Sequence, residues 1–394
     1  MTQDLLIEIG TEEIPAGFLS KAFIDMKSHA QKMLTRLRLD HGEITVLATP
    51  RRLTLQVASL AAAQEDRVVE NMGPAKRIAF DENGQPSKAG IGFARGQKVK
   101  PEELEIVSTE KGEYVCVRKR ETGEQTTKLL AEALPAYIMS IPFRKSMRWQ
   151  NLDARFARPI HWLAALYGNQ TIPFECAGIS SSAASYGHRF MAPGKFEIKQ
   201  PSDYVELCRK AKVIVDQNER KTIIKNQLAA IEKELGGTII DDPELLETVT
   251  NIVEFPHAIT GSFNQSFLEL PEEVLIIVMR YHQKYFCLRD PAGRLMANFI
   301  TINNTVARDP EIVVRGNQRV LLARLNDARF FYQEDLKVPL DDFVERLRNV
   351  VFQAKLGTSY EKVERFRGLA EKMADQLCPA QKAAISRTAW LCKA

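Results

Sequence analysis

The sequence predicts an α+β protein: a mixed sheet-and-helix N-terminal region followed by an all-helical region truncated at its C-terminus. Two observations carry that expectation. Strand-like alternation and helical periodicity are interspersed up to about residue 305. From about Glu311 onward strand signals vanish, while residues 318–333, 340–353 and 360–376 keep apolar side chains at helical spacing. At 394 residues, with 45% hydrophobic and 26% charged, the chain is long enough for two or three domains with real cores.

The elements follow in order. Residues 4–9 read as a strand bounded by Gly10 and the acidic pair Glu12-Glu13, and residues 16–39 as a long helix with Pro15 beside its tolerant first turn. Residues 43–48 and 52–60 are two strands broken at Thr49-Pro50, a hairpin or meander. The stretch 71–98, with Gly73-Pro74, Gly84, Pro86, Gly90, Gly92 and Gly96, reads as loop with at most a short helix. Residues 113–120 alternate as a strand, 126–139 return to helix, and 160–167 and 196–198 are strands. Helices are expected at 202–211, 218–235, 242–251 and 271–286, the last opening with Pro271, Glu272 and Glu273, all favourable in a first turn. A strand at 295–303 closes the mixed region. The expected domains are 1–65, 66–200, 201–310 and 311–394. From Ala380 a helix-like run stops at Ala394 without the glycine, asparagine or proline that usually closes a helix, so the chain is expected to be a fragment.

Composition narrows the function. The net charge is only +4, from 54 Lys+Arg against 50 Asp+Glu, so any nucleic-acid role must come from local clustering. Six scattered cysteines without a C-x-x-C argue for reduced thiols and against a zinc site. The N-terminus lacks a basic leader and the longest apolar run, 274–279, is far too short to span a bilayer; a cytoplasmic protein with no membrane partner is expected.

The most informative stretch is 143–162, FRKSMRWQNLDARFARPIHW. Arg144, Lys145, Arg148, Arg155 and Arg158 meet one acid, Asp153, with Phe143, Trp149, Phe156 and Trp162 between them. Cations that neutralise phosphates, mixed with flat side chains that stack on bases, are what a nucleic-acid surface requires. The competing reading is a solvated basic edge whose aromatics, Trp149 included, point into the core. A second arginine-rich region, 308–329, reads equally as an ion-paired, solvated helix.

No catalytic constellation emerges. Residues 90–96 follow no strand and precede no G-K-[ST], so a mobile surface loop is expected there rather than a phosphate loop. The six histidines are single; His161 and His188 sit in basic, aromatic contexts, and His282 aligns with Leu275, Met279 and Phe286 as a core histidine. The triple serine 180–182 has no nucleophile frame, and the acidic pairs are explained by helix capping.

The motifs LLIEIGTEEIPAGFL (5–19), ATPRRL (48–53), KSMRW (145–149), RFARPIHW (155–162), SYGHRFMAP (185–193), VEFPHAITGSF (253–263) and LNDARFFYQEDLK (325–337) resemble the β subunit of bacterial tetrameric glycyl-tRNA synthetases. They occur in that family's order and cover nearly the whole chain. The resemblance implies an α2β2 enzyme charging tRNA with glycine, its class II site, ATP and Mg on the α subunit, and a β subunit that mainly grips tRNA. It further implies that 340 onward begins an HD-like helical domain. No His-Asp pair is present, so no phosphohydrolase activity is carried over. On this reading Arg144, Lys145, Arg148, Arg155 and Arg158 are the nucleic-acid contacts, with Arg51 and Arg52 added as secondary candidates. No residue is assigned as catalytic, no metal site is expected, and the chain by itself is expected to bind no cofactor and to be inactive. Two rivals stand beside it: an assembly module that binds only the α subunit, and a tRNA-editing hydrolase with His188 or His161 as base.

Overall fold

A computed structural model describes residues 2–81, 84–110 and 112–394. The chain forms two compact units: Met1–Ile231 with Asp241–Ala258 and Ile302–Ala307, and Glu232–Ile240 with Ile259–Thr301 and Arg308–Ala394.

The first unit is built on β1 (Thr2–Thr11), α1 (Ala16–Arg36), β2 (Ile44–Thr49), β3 (Arg52–Ala61), β4 (Arg67–Ala75), α2 (Lys76–Ala79), α3 (Lys88–Gly96), β5 (Glu105–Thr109), β6 (Gly112–Glu121), α4 (Thr126–Met139) and β7 (Ile160–Tyr167). It continues through β8 (Gln170–Thr171), β9 (Glu175–Cys176), β10 (Ile179–Ser182), β11 (Ala184–Tyr186), β12 (Lys195–Glu197), α5 (Tyr204–Lys210), α6 (Gln217–Leu235) and α7 (Pro243–Thr250). Its main sheet runs β2-β3-β1-β7-β10-β9, with β8 beside β7. β1 is central and antiparallel to both β3 and β7.

Strand side chains alternate between faces, which explains how β1 serves two cores. Leu5, Ile7 and Ile9 pack into one with Leu19, Met26 and Met33 of α1 and Leu130, Leu134 and Ile138 of α4. Leu6 enters another with Leu47, Ala164, Tyr204, Cys208 and Val213. Glu8 has the same parity as Leu6, so the pattern that buries the leucine also buries a carboxylate.

A separate three-stranded sheet, β4-β6-β5, overturns the expected loop at 71–98, of which residues 82 and 83 lie outside the described residues. Residues 71–75 belong to β4, and the glycine run 90–96 is helical. The Ser87 hydroxyl accepts from the Ala89 and Gly90 amides at 3.1 and 3.2 Å, which caps α3. Gly90 is required for contact: a Cβ there would lie 2.3 Å from the Ala79 carbonyl oxygen.

The second unit holds the sheet β13-β15-β16-β14, from β13 (Thr238–Ile239), β14 (His257–Ser262), β15 (Phe286–Arg289) and β16 (Leu295–Asn303). Its helices are α8 (Glu272–Ile277), α9 (Pro310–Asp335), α10 (Leu340–Arg346), α11 (Ser359–Leu377) and α12 (Lys382–Leu391). Leu321 and Leu325 of α9 share a core with Met279, Tyr285 and Phe299. After α8 the backbone widens into a π-helical turn, Val278–Gln283, closed by Lys284 at φ 60°. The added width rotates the following side chains. Leu275 and Met279 are buried as expected, but His282 is exposed and is not the predicted core histidine. The expected all-helical region is also corrected: β17 (Val351–Gln353) and β18 (Gly357–Thr358) form a small hairpin between α10 and α11. In the arginine-rich stretch, Arg315 lies 3.6 Å from Glu311, and Arg329 sits over the Phe267 ring while donating to Asn326.

Candidate nucleic-acid interface

Between α4 and β7 the basic stretch is a surface loop without regular structure, closed on itself where Met147 and Phe156 exchange backbone hydrogen bonds of 2.9 and 3.3 Å. The two kinds of side chain part company there. Phe156 and Trp162 are buried, and Phe143 and Trp149 pack against the main core. Phe143 meets Phe156 edge-on at 4.8 Å. The aromatics of this stretch therefore anchor the loop, and none of the four is exposed. Arg144, Lys145, Arg148 and Arg155 are exposed. Arg148 lies 3.5 Å from the fully exposed Asp153, a pair that solvent weakens. Arg144, Lys145 and Arg155 have no ion-pair partner among the described residues. Arg158 is half-buried and donates to the backbone oxygens of Glu13 and Ala157, so it acts as a clamp.

Arg52 is a correction. It is completely buried and cannot face a phosphate. Its register explains this: Arg52 lies opposite Gly10, and Gly10 also lies opposite Trp162. All three share the sheet face that carries Glu8. The glycine leaves room for the indole, because a Cβ there would fall 1.9 Å from the ring. Trp162 Nε1 and the Ser185 hydroxyl each donate to Glu8 Oε1 at 2.7 Å. Arg52 donates from Nε to Glu254 Oε1 at 3.0 Å and from Nη1 to the Tyr186 carbonyl at 2.9 Å, with Glu8 at 3.5 Å. The Thr49 hydroxyl completes the Glu254 oxygen at 2.7 Å. Burial, the largest single influence, would raise the Glu254 carboxyl, but Arg52, the Thr49 hydroxyl and Arg51 together outweigh it and hold the group below its ordinary value. Burial would likewise depress Arg52; Glu254 and Glu8 reverse that and raise it.

Arg51, one residue earlier in the β2–β3 turn, behaves differently. It is half-buried, its guanidinium carbon stands 5.6 Å from the Trp162 ring centroid, and its Nε is buried without a partner. Burial pushes its pKa down, partly countered by Glu254. Nearby, Glu12 receives Arg189 and lies 3.4 Å from His161.

His188 is fully buried, and its Nδ1 accepts from the Phe190 and Met191 amides at 3.3 and 3.2 Å. Nδ1 is thereby engaged by two backbone amides, which ties the ring to its own loop. Among the described residues no group of three or more His, Cys, Asp or Glu side chains is placed to hold a metal, and no helix is long and apolar enough to cross a membrane. Sequence reasoning singled out His188 in the 185–193 motif and passed over its neighbours Tyr186, Arg189 and Phe190, which are the side chains that reach the surface.

The chain is thus an α+β protein with a cation-bearing loop over an apolar core and with its strongest buried charges locked in an ion-pair network. The family model described as glycyl-tRNA synthetase beta subunit matches residues 5–394, and the chain belongs to that family. Over its full length it is 53% identical to the glycine–tRNA ligase beta subunit of Geotalea uraniireducens, and 52% identical to those of Geotalea daltonii and Geobacter sulfurreducens. The chain spans 57% of the length of each of these relatives.

Proposed function

We propose that this chain is the part of a glycine–tRNA ligase β subunit that grips tRNA and contributes to α-subunit assembly during ATP-dependent charging of tRNA with glycine in the cytoplasm. The observation that carries the reading is the loop of Arg144, Lys145, Arg148 and Arg155, exposed and anchored by buried aromatics, in a member of this family. Exposed cations on a fixed loop lose little solvation or order on meeting phosphates, and they release the counterions that make such binding salt-dependent. In this reading the α subunit of an α2β2 tetramer holds the aminoacylation site with ATP and Mg, and residues 340–394 open an HD-like helical domain.

The test uses the full-length enzyme carrying Arg144→Ala and Arg148→Ala. Its log-affinity for tRNA against log salt should flatten by about 1.4–1.8, two phosphate contacts at roughly 0.7–0.9 each. Unchanged affinity and slope would remove the loop from the RNA interface. Loss of α-subunit association on gel filtration without tRNA, at unchanged tRNA affinity, would establish the assembly role instead.

A further inference from the structure

We propose that Tyr186 and Phe190, flanked by Arg51 and Arg189, form a stacking site for unpaired RNA nucleotides, separate from the cationic loop. This deepens the RNA-binding reading and rests on it. The aromatics of the cationic loop are committed to the core, so base stacking needs other rings. In the first unit the exposed aromatics among the described residues are Tyr186, 38% exposed, and Phe190, 72% exposed. Both lie at the β11–β12 hairpin, whose connection spans residues 187–194.

That connection is built rather than slack. The Gly187 amide donates to the Gly194 carbonyl at 2.9 Å, the His188 amide to Ala211 at 2.9 Å, and the Ala192 amide to His188 at 3.0 Å. The buried His188 ring accepts both the Phe190 and Met191 amides, which fixes the backbone that carries the exposed phenyl. Gly187 has no room for a side chain, since a Cβ would lie 2.2 Å from the Ala192 carbonyl oxygen. A loop that spends these five hydrogen bonds on holding an apolar ring in water is a presentation device.

The surroundings select the ligand. The Tyr186 ring packs on Trp162 at 5.0 Å between ring centroids, and the Arg51 guanidinium carbon lies 5.6 Å from the centroid of the same indole. Arg189 is spoken for by Glu12 and Glu13. Arg51 has no ion-pair partner among the described residues, and its buried Nε is unpartnered, so it is the group poised to receive an anion. An exposed tyrosine ring packed on the same indole as a half-buried guanidinium without an ion-pair partner, with a second exposed ring on the same hairpin, suits a heterocycle joined to a phosphodiester. A duplex keeps its base faces inside its own stack, so such a surface takes unpaired nucleotides.

The experiment compares the full-length αβ enzyme with its Phe190→Ala and Phe190→Trp variants, using a fluorescein-labelled unstructured tetraribonucleotide and a blunt RNA duplex as probes. Phe190→Ala should weaken tetranucleotide binding by about 5- to 150-fold, the range for losing one base–aromatic stack. Phe190→Trp should keep it, and duplex binding should not change in either. Arg51→Met should weaken the tetranucleotide and lower its salt slope. Tetranucleotide affinity untouched by Phe190→Ala overturns the proposal, as does equal loss for both probes. So does loss of α-subunit association alone, which would make the hairpin a protein contact. An effect of Phe190→Ala that persists while Arg144→Ala with Arg148→Ala changes nothing would retire the cationic loop and leave the stacking site standing.

Discussion

Arg52 ties β3 to three other parts of its unit through one buried guanidinium: Glu8 on β1, the Tyr186 carbonyl on β11 and Glu254. Replacing it with alanine strands two carboxylates at zero exposure, so Arg52→Ala is expected to cost about 3–5 kcal/mol in urea unfolding. Arg220 is buried too, yet it donates to the carbonyls of Ala48, Ile214, Val215 and Thr250 instead of pairing with an acid, and burial pushes it down to about 10. The depressed Glu254 carboxyl gives the fold an acid dependence of definite sign. Folding stabilises its ionised form, so its contribution is complete above the ordinary value of 4.5 and disappears as pH falls through the lower folded value. The urea midpoint should therefore fall with pH below about 4.5, and less steeply in Glu254→Gln. An identical slope in the variant would assign the acid loss to other carboxylates.

At the scale of elements, Ser87 offers a direct test. Its hydroxyl holds two first-turn amides of α3, so Ser87→Ala should cost about 0.5–2 kcal/mol and speed hydrogen exchange at Ala89 and Gly90. This helix also shows where sequence reading stops. Residues 126–139, 160–167 and 295–303 were legible to the residue, as α4, β7 and β16, because α4 buries apolar side chains at helical spacing and the two strands are short, mostly apolar runs. The run 90–96 was not, because Gly90 answers to a contact with the Ala79 carbonyl that no local pattern encodes. β4 and β5 are exposed or half-buried along their whole length and so carry no apolar alternation to read. One wide π turn was enough to move His282 from an inferred core line to the surface. The candidate site divides in the same way. Cations at Arg144, Lys145, Arg148 and Arg155 lie outward in an irregular loop, where composition is a fair guide. Arg52 begins a strand, and its fate was set by cross-strand register with Gly10 and Trp162.

These 394 residues together carry a formal charge of only +4, so their long-range field gives little attraction for RNA. At physiological salt, exposed charges more than about 8 Å apart are largely screened, and affinity depends on which cations touch phosphate. Two double substitutions separate the local from the global contribution. Arg144→Ala with Arg148→Ala and Arg118→Ala with Arg120→Ala each remove two positive charges. Arg118 and Arg120 lie on β6, where they already face Glu70, Glu105 and Asp66. If binding followed net charge, both variants would lose the same affinity. On the local reading, the loop variant lowers the log-log salt slope of full-length enzyme on tRNA by about 1.4–1.8, while the β6 variant leaves it within error of the parent. Exposed pairs such as those of Arg118 are screened by solvent and contribute little to stability, so the β6 variant stays folded and serves as a fair control. Equal slopes in the two variants would mean that charge is read by the molecule as a whole, and the loop would lose its special standing.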